Sequence, residues 1–189
     1  MALRLQELHP SLVHFPIALV PLAVGFDLLG KVLGSRTLMR AGKALMPVAA
    51  GSAVVTAAAG LIAQESVQAQ GRGRDLLITH RNMNLGLVAL AMLMSAVRAG
   101  SREPGWTYLA AGLGAVGAMQ YTAYLGGKMV YDHGVGVRAA AGLKEAEAPE
   151  ILPGTLAHAT KTSGRHLVEG ARRAAEQLRA GELAPALRR

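Results

Sequence analysis

Six histidines are the side chains of this 189-residue sequence best suited to hold a cofactor. His9 and His14 lie near the N-terminus, His80 and His133 follow later, and two more lie in the C-terminal part. Neutral imidazole binds haem iron, copper and zinc. Because the chain has no cysteine, thiolate zinc sites, iron–sulfur clusters and covalently attached c-type haem are excluded. A metal centre here must rest on histidine, carboxylate, methionine or backbone oxygen.

The residues around the histidines favour binding or electron transfer over catalysis. The sequence contains no arrangement of a nucleophile with a base, so we predict no catalytic residues. The net charge is +8, yet aromatic residues are scarce and no nucleic-acid motif accompanies the basic residues. Anionic lipid headgroups are the simpler partner for this charge, and we expect no nucleic acid.

Four long apolar blocks must position these histidines. The chain is 51% hydrophobic and only 17% charged, and its apolar residues collect at 13–33, 44–64, 76–97 and 105–127. A helix of about 21 residues reaches roughly 30 Å, the thickness of the hydrocarbon core. We therefore predict an all-α integral membrane four-helix bundle over residues 1–138. No small-x-small cleavage site precedes Lys31, so we interpret the first block as a retained span, not a secretory signal.

Two of the apolar blocks contain charged, aromatic or glycine residues for which we expect specific roles in a membrane. Asp27 and Lys31 stand at i and i+4, which predicts a local ion pair near the headgroups, the alternative being a buried functional Asp27. In the fourth block, aromatic residues at each end predict two interfacial belts: Trp106, Tyr108, Tyr121 and Tyr124. The glycines of that block spell GxGxxG, but the pattern lies within an apolar helix, so we interpret it as a packing face: Gly112, Gly114 and Gly117.

The segment 139–189 differs in composition and is predicted to lie outside the bilayer. Residues 155–179 alternate polar and apolar side chains at helical spacing and are rich in arginine. Two interpretations remain open. The segment is either a basic amphipathic helix that rests on anionic lipid or a partner subunit, or a loosely ordered solvated tail.

An up-and-down trace of four spans brings the histidines to one membrane face. It places His9, His14, His80 and His133 there, together with Gln64 and Glu65. Because His9 precedes Pro10, which favours a first helical turn, we expect His9 to lie outside the helix and His14 to face inward. His14 and His80 are thus the preferred ligands.

Further residues extend this candidate site. His133 is a substitute ligand and His9 a further candidate, while Glu65 and Asp132 could orient an imidazole or bind a harder metal. The glycines at 126–137 are expected to end or bend the fourth helix. Haem b is the first cofactor hypothesis, zinc or copper the second. Interfacial capping by the histidines, with no cofactor, is the third.

Two motifs resemble a known family. They are HPSLVHFPIAL at 9–19 and GGKMVYDHGVGV at 126–137, with His80 between them. Together they resemble the bacterial membrane family named domain of unknown function 2231, over roughly residues 7–138. Members look like four-helix domains of the bacterial cytoplasmic membrane, and some are joined to Rieske-type iron–sulfur domains.

The resemblance implies a link with electron transfer. Without cysteine this chain has no Rieske domain of its own, so a redox partner must be separate, and self-association is a further expectation. Lys128 and Gln64 stand where acidic residues are expected in similar sequences. Both departures weaken a carboxylate-rich metal site and leave the histidines as the firmer candidates.

Overall fold

The computed structural model describes residues 3–144 and 150–188, which are mostly helical. The helices are α1 Leu5–Leu12, α2 His14–Leu33, α3 Arg36–Ser66, α4 Gly71–Gly100, α5 Trp106–His133 and α6 Leu156–Arg179. Two short strands, β1 Leu3–Arg4 and β2 Glu150–Ile151, pair antiparallel with Leu3 opposite Ile151. Short 3₁₀ turns follow at Arg138–Ala140 and Pro185–Leu187. The predicted all-α class is confirmed; residues 145–149 and 189 of the predicted tail lie outside the described residues.

Three helical segments of the described chain are long and apolar enough to cross a membrane. They are Leu5–Leu33, Arg36–Ser66 and Gly71–Gly100. Large apolar side chains on these segments are exposed, among them Val32, Val55 and Leu93, as expected for helices that face lipid. α5 has 28 residues, but its glycines, tyrosines and Gln120 lower its hydropathy. The first three predicted blocks thus correspond to candidate spans.

Glycines with positive φ mark two helix ends. Gly34, with φ 67°, ends α2, and its backbone N–H donates to the carbonyl of Gly30. Gly134, with φ 60°, follows α5, where Val135 N–H donates to Met129 O at 3.0 Å. Left-handed glycine is the usual residue at these positions because it has no Cβ to clash. The expectation that glycines end the fourth helix holds at Gly134, whereas α5 continues through Gly126 and Gly127.

The chain divides into two compact units, described separately here. We call Leu12–Thr56 with Leu85–Tyr121 the ion-pair unit. Its core is apolar and includes Val20, Ala23, Val24, Met46, Ala49, Met94 and Leu109. A Cβ at Gly112 would come within 2.8 Å of Val24, so this glycine allows close packing, as predicted. Gly114 and Gly117 meet nothing within 4 Å, so the predicted packing face is limited to Gly112.

The ion-pair unit overturns two local predictions. Asp27 pairs with Arg98, not with Lys31; the Arg98 Nε to Asp27 Oδ2 distance is 2.9 Å. Lys31 instead contacts Glu103 at 3.4 Å. Tyr108 is 8% exposed and its hydroxyl donates to Asp27, so it does not belong to an interfacial belt. The i,i+4 rule describes neighbours on one helix surface and carries no information about a partner from another helix.

We call the remaining segments, Met1–Ser11, Ala57–Asn84 and Thr122–Arg189, the tail-bearing unit. α6 is a helix in this unit and buries a face made of Ala159, Thr162, His166, Gly170 and Ala174. A Cβ at Gly170 would lie 2.5 Å from the carbonyl oxygen of Leu61, so α6 closely approaches α3. The tail is therefore a helix whose buried face packs on its own chain, not a loosely ordered segment.

Candidate histidine site

His80 on α4 is held in a defined orientation by α5. Its Nδ1 lies 2.8 Å from the backbone carbonyl oxygen of Thr122. Because a carbonyl oxygen only accepts, Nδ1 carries the proton and Nε2 keeps its lone pair. A histidine that ligates a metal commonly donates its other ring N–H to a carbonyl or carboxylate in this way. His80 thus presents the tautomer required of a ligand through Nε2.

His9 is the imidazole beside His80. Their ring centroids are 6.4 Å apart and the ring planes cross at 86°. Both residues belong to the tail-bearing unit. Two imidazoles on opposite sides of one metal ion, with metal–nitrogen distances of about 2.0–2.1 Å, have ring centroids about 6 to 6.5 Å apart. The separation of this pair therefore fits two ligands of a single ion.

Glycines give both rings their space. A Cβ at Gly60 on α3 would lie 3.1 Å from Cε1 and Nδ1 of His9. A Cβ at Gly126 on α5 would lie 3.4 Å from Cε1 of His80. Each imidazole thus packs against a helix glycine; a side chain at Gly60 would displace the His9 ring, whereas a Cβ at Gly126 would make an ordinary contact with His80.

Asn84 supports the His80 end of the site. Its Nδ2 donates to the His80 carbonyl oxygen at 2.8 Å, and its Oδ1 accepts from the Thr122 hydroxyl at 3.3 Å. The first bond lies within α4, and the second connects α4 to α5 beside the His80–Thr122 contact. Such outer hydrogen bonds fix the orientation of a ligand ring.

The structure reverses the predicted roles of the first two histidines. His9 lies within α1 and not outside a helix, and Pro10 is interior to α1. His14 begins α2, its side chain is exposed rather than inward-facing, and it belongs to the ion-pair unit. Val13, between the two helices, keeps helical dihedral angles, φ −60° and ψ −27°, so Pro10 does not mark the start of a helix as we expected. The placements from which we preferred His14 over His9 are therefore wrong.

The other predicted ligands have different surroundings. His133 is exposed at the end of α5. Glu65, 3% exposed, accepts from Nη2 of Arg173 at 2.8 Å. Asp132 contacts Lys128 at 2.7 Å, and that hydrogen bond and charge lower the pKa of Asp132 below its usual value. Within residues 3–144 and 150–188, no three His, Asp or Glu side chains form a group that could hold a metal ion.

Sequence reasoning missed Thr122, Gly60 and Gly126 as parts of this site. A backbone carbonyl gives no sequence signal, since every residue carries one. Gly60 looked like an ordinary small residue of a membrane helix, and Gly126 was expected to end or bend the fourth helix. Their role depends on which rings they meet, and this follows from the packing of α3 and α5.

The long apolar helices with exposed apolar surfaces define a helical membrane protein. The family described as "Predicted membrane protein (DUF2231)" matches residues 6–139. The chain belongs to this family, which confirms the resemblance predicted from its two motifs. No curated protein and no solved structure shows detectable similarity to the chain.

Proposed function

We propose that this protein is a multi-pass electron carrier of the bacterial cytoplasmic membrane that binds haem b through His9 and His80. The observation that carries the proposal is the imidazole pair, with ring centroids 6.4 Å apart. The hydrogen bond from His80 Nδ1 to Thr122 O supports it, because it leaves Nε2 for the metal. Haem, when bound, would supply one-electron redox chemistry, and His9 and His80 would hold its iron.

The number of protein ligands favours haem over a bare ion. Zinc sites in proteins use three or four protein ligands, and within the described part of the chain no group of three such side chains is present. A porphyrin supplies four nitrogen ligands itself, so two histidines complete the coordination of its iron. Zinc or copper at His14, His80, His133, Glu65 or Asp132 is the less supported alternative.

We further propose that α5 is a fourth span. Residues Thr122 to His133 at its end belong to the tail-bearing unit, as do the end of α3 and the beginning of α4. A chain that crosses in α4 must cross again to return there. Without cysteine the protein has no iron–sulfur cluster, so electrons would pass to or from a separate redox protein or a second copy.

Absorption spectra of the detergent-purified protein test this function. The protein is produced with haem precursor, and spectra are recorded before and after dithionite reduction. Metal content of the same sample is measured. We expect one haem per chain, a sharpened α-band on reduction, and iron as the main metal. Full-length folded protein without haem, or with stoichiometric zinc instead, would contradict the proposal.

A further inference from the structure

A cavity of about 290 Å³ lies within the tail-bearing unit, apart from the His9–His80 pair. The end of α3, the beginning of α4 and α6 contribute to its wall. Its described charged lining comprises four cations and one carboxylate: Arg74, Arg81, Lys144, Arg173 and Glu65. Four glutamine side chains add polar groups: Gln64, Gln68, Gln70 and Gln177. The wall is therefore strongly positive.

Arg81 differs from Arg74 and Arg173 in the cavity wall because no described carboxylate accepts a hydrogen bond from it. It is 8% exposed. Its Nη1 donates to Gln177 Oε1 at 2.7 Å and to Gln64 Oε1 at 3.4 Å. Its Nε and Nη2 donate to Asn82 Oδ1 at 3.0 and 2.8 Å. Every hydrogen bond that Arg81 makes with described residues thus ends on a neutral amide oxygen.

The neighbouring carboxylates are already bound to other arginines. Glu65 accepts from both Nε and Nη2 of Arg173. Glu182 accepts from Nη2 of Arg74 through both of its oxygens, at 3.1 and 2.9 Å. A buried cation without an anionic partner is costly, since amide oxygens replace only part of its hydration. Among the described residues, no carboxylate therefore hydrogen-bonds to Arg81; Glu65 and Glu182 attract it only through space, and Arg173 and Arg74 oppose that attraction.

We propose that this cavity binds a phosphate group, whose charge compensates Arg81. Guanidinium groups bind phosphate oxygens with paired, parallel hydrogen bonds, and several cations here can contact one phosphate. The phosphate belongs either to the headgroup of an anionic lipid or to inorganic phosphate. The site lies at helix ends of a membrane protein, where basic pockets meet anionic headgroups. Its occupation does not depend on whether haem is bound.

The variant Gln177→Glu tests phosphate binding without the loss of stability that we expect when Arg81 itself is replaced. The new carboxylate stands where Gln177 Oε1 now accepts from Arg81, so it compensates the buried cation from within the chain and repels phosphate. We expect this variant to unfold at the same temperature as the wild type or higher, and to bind phosphate at least tenfold more weakly. Arg81→Gln should also lose binding, with a lower unfolding temperature. Arg72→Gln removes one charge at an exposed position outside the lining and serves as the charge-matched control.

The experiment measures thermal unfolding of the full chain in a non-ionic detergent. One titration uses inorganic phosphate against chloride at constant ionic strength, and the other uses short-chain phosphatidylglycerol against phosphatidylcholine. A saturable rise in unfolding temperature for wild type and Arg72→Gln, lost in Gln177→Glu, supports the site. A response to phosphate assigns inorganic phosphate, whereas a response to phosphatidylglycerol alone assigns a lipid headgroup. No saturable response of the wild type to either probe, or an undiminished response of Gln177→Glu, would overturn the proposal.

Discussion

The guanidinium of Arg98 binds the carboxylate of Asp27 through three N–H···O contacts of 2.9 to 3.0 Å. Both side chains are at most 1% exposed. The Tyr108 hydroxyl donates to the same carboxylate at 3.1 Å, and Arg98 also donates to Met39 O at 2.6 Å. This pair joins α2 to α4 inside the ion-pair unit. A buried charge is stable here because each partner satisfies the other.

Asp27→Asn should strongly destabilise the protein. The substitution leaves the Arg98 guanidinium buried without its counterion, and removal of one partner of a buried pair costs about 3–5 kcal/mol. The measurement is the free energy of unfolding in detergent micelles, obtained by titration with a denaturing detergent. The double variant Asp27→Leu with Arg98→Met should recover much of the loss, because no charge then remains buried.

Glu103→Gln is the matched control for Asp27→Asn. It removes a carboxylate from the Lys31–Glu103 pair, in which Glu103 is 63% exposed. Exposed pairs contribute about 0–1 kcal/mol, so its unfolding free energy should stay close to that of the wild type. Equal losses in the two variants would contradict the structural role given to Asp27.

Gly60→Ala should weaken cofactor retention. The added methyl group would lie 3.1 Å from the His9 ring, so the ring must move and its distance from His80 must change. We expect purified Gly60→Ala to hold several-fold less haem per chain than the wild type. Gly51→Ala on the same helix is the control, because a Cβ at Gly51 meets nothing within 4 Å.

Thr79→Val should loosen the C-terminal segment without a change in side-chain shape. Thr79 is fully buried, and its hydroxyl accepts from the backbone N–H of Ala186 at 3.0 Å. Loss of the acceptor leaves a buried donor unsatisfied, which costs about 1–3 kcal/mol locally. Amide hydrogen exchange of residues 186–188 should become about tenfold to a hundredfold faster. The exposed Thr160→Val should leave this exchange rate unchanged; an equal effect of both variants would refute the contact.

Single cysteines test the fourth span, since the natural chain has none to interfere. The positions are Gln70→Cys, Arg102→Cys and Lys161→Cys, all exposed in the wild type. A membrane-impermeant thiol reagent should label Gln70→Cys and Lys161→Cys from one side of the membrane and Arg102→Cys from the other. If Arg102→Cys and Lys161→Cys were labelled from the same side, α5 would not cross the bilayer.

The sequence predicted the helices well because apolar block length is a strong local signal. Each predicted block lies almost entirely within one observed helix, and the helices extend beyond the blocks into polar residues such as Arg36 and Glu65. The pairing of charged side chains between different helices was predicted poorly. Asp27 was assigned to Lys31 by spacing, whereas its partner Arg98 is 71 residues away. The choice between His9 and His14 rested on Pro10 as the first residue of a helix, whereas α1 begins at Leu5 and contains both His9 and Pro10.

The C-terminal tail also makes contacts with distant residues that its composition does not predict. Its residue pattern left open a surface helix on lipid or a partner and a loosely ordered segment, yet Arg173 of α6 pairs with Glu65 of its own chain. Such pairing needs the tail to fold back, and composition does not encode where a tail returns. The cavity around Arg81 was likewise beyond sequence reasoning, because its wall is assembled from segments about 100 residues apart.

The most direct test of the account compares the reduced-minus-oxidised spectra of four variants: His9→Ala, His80→Ala, His14→Ala and His133→Ala. We expect His9→Ala and His80→Ala to lose the bis-histidine haem spectrum. His14→Ala and His133→Ala should retain it, because these side chains are exposed. Loss of the spectrum in His14→Ala with retention in His9→Ala would contradict the assignment of His9 and His80 as the ligands.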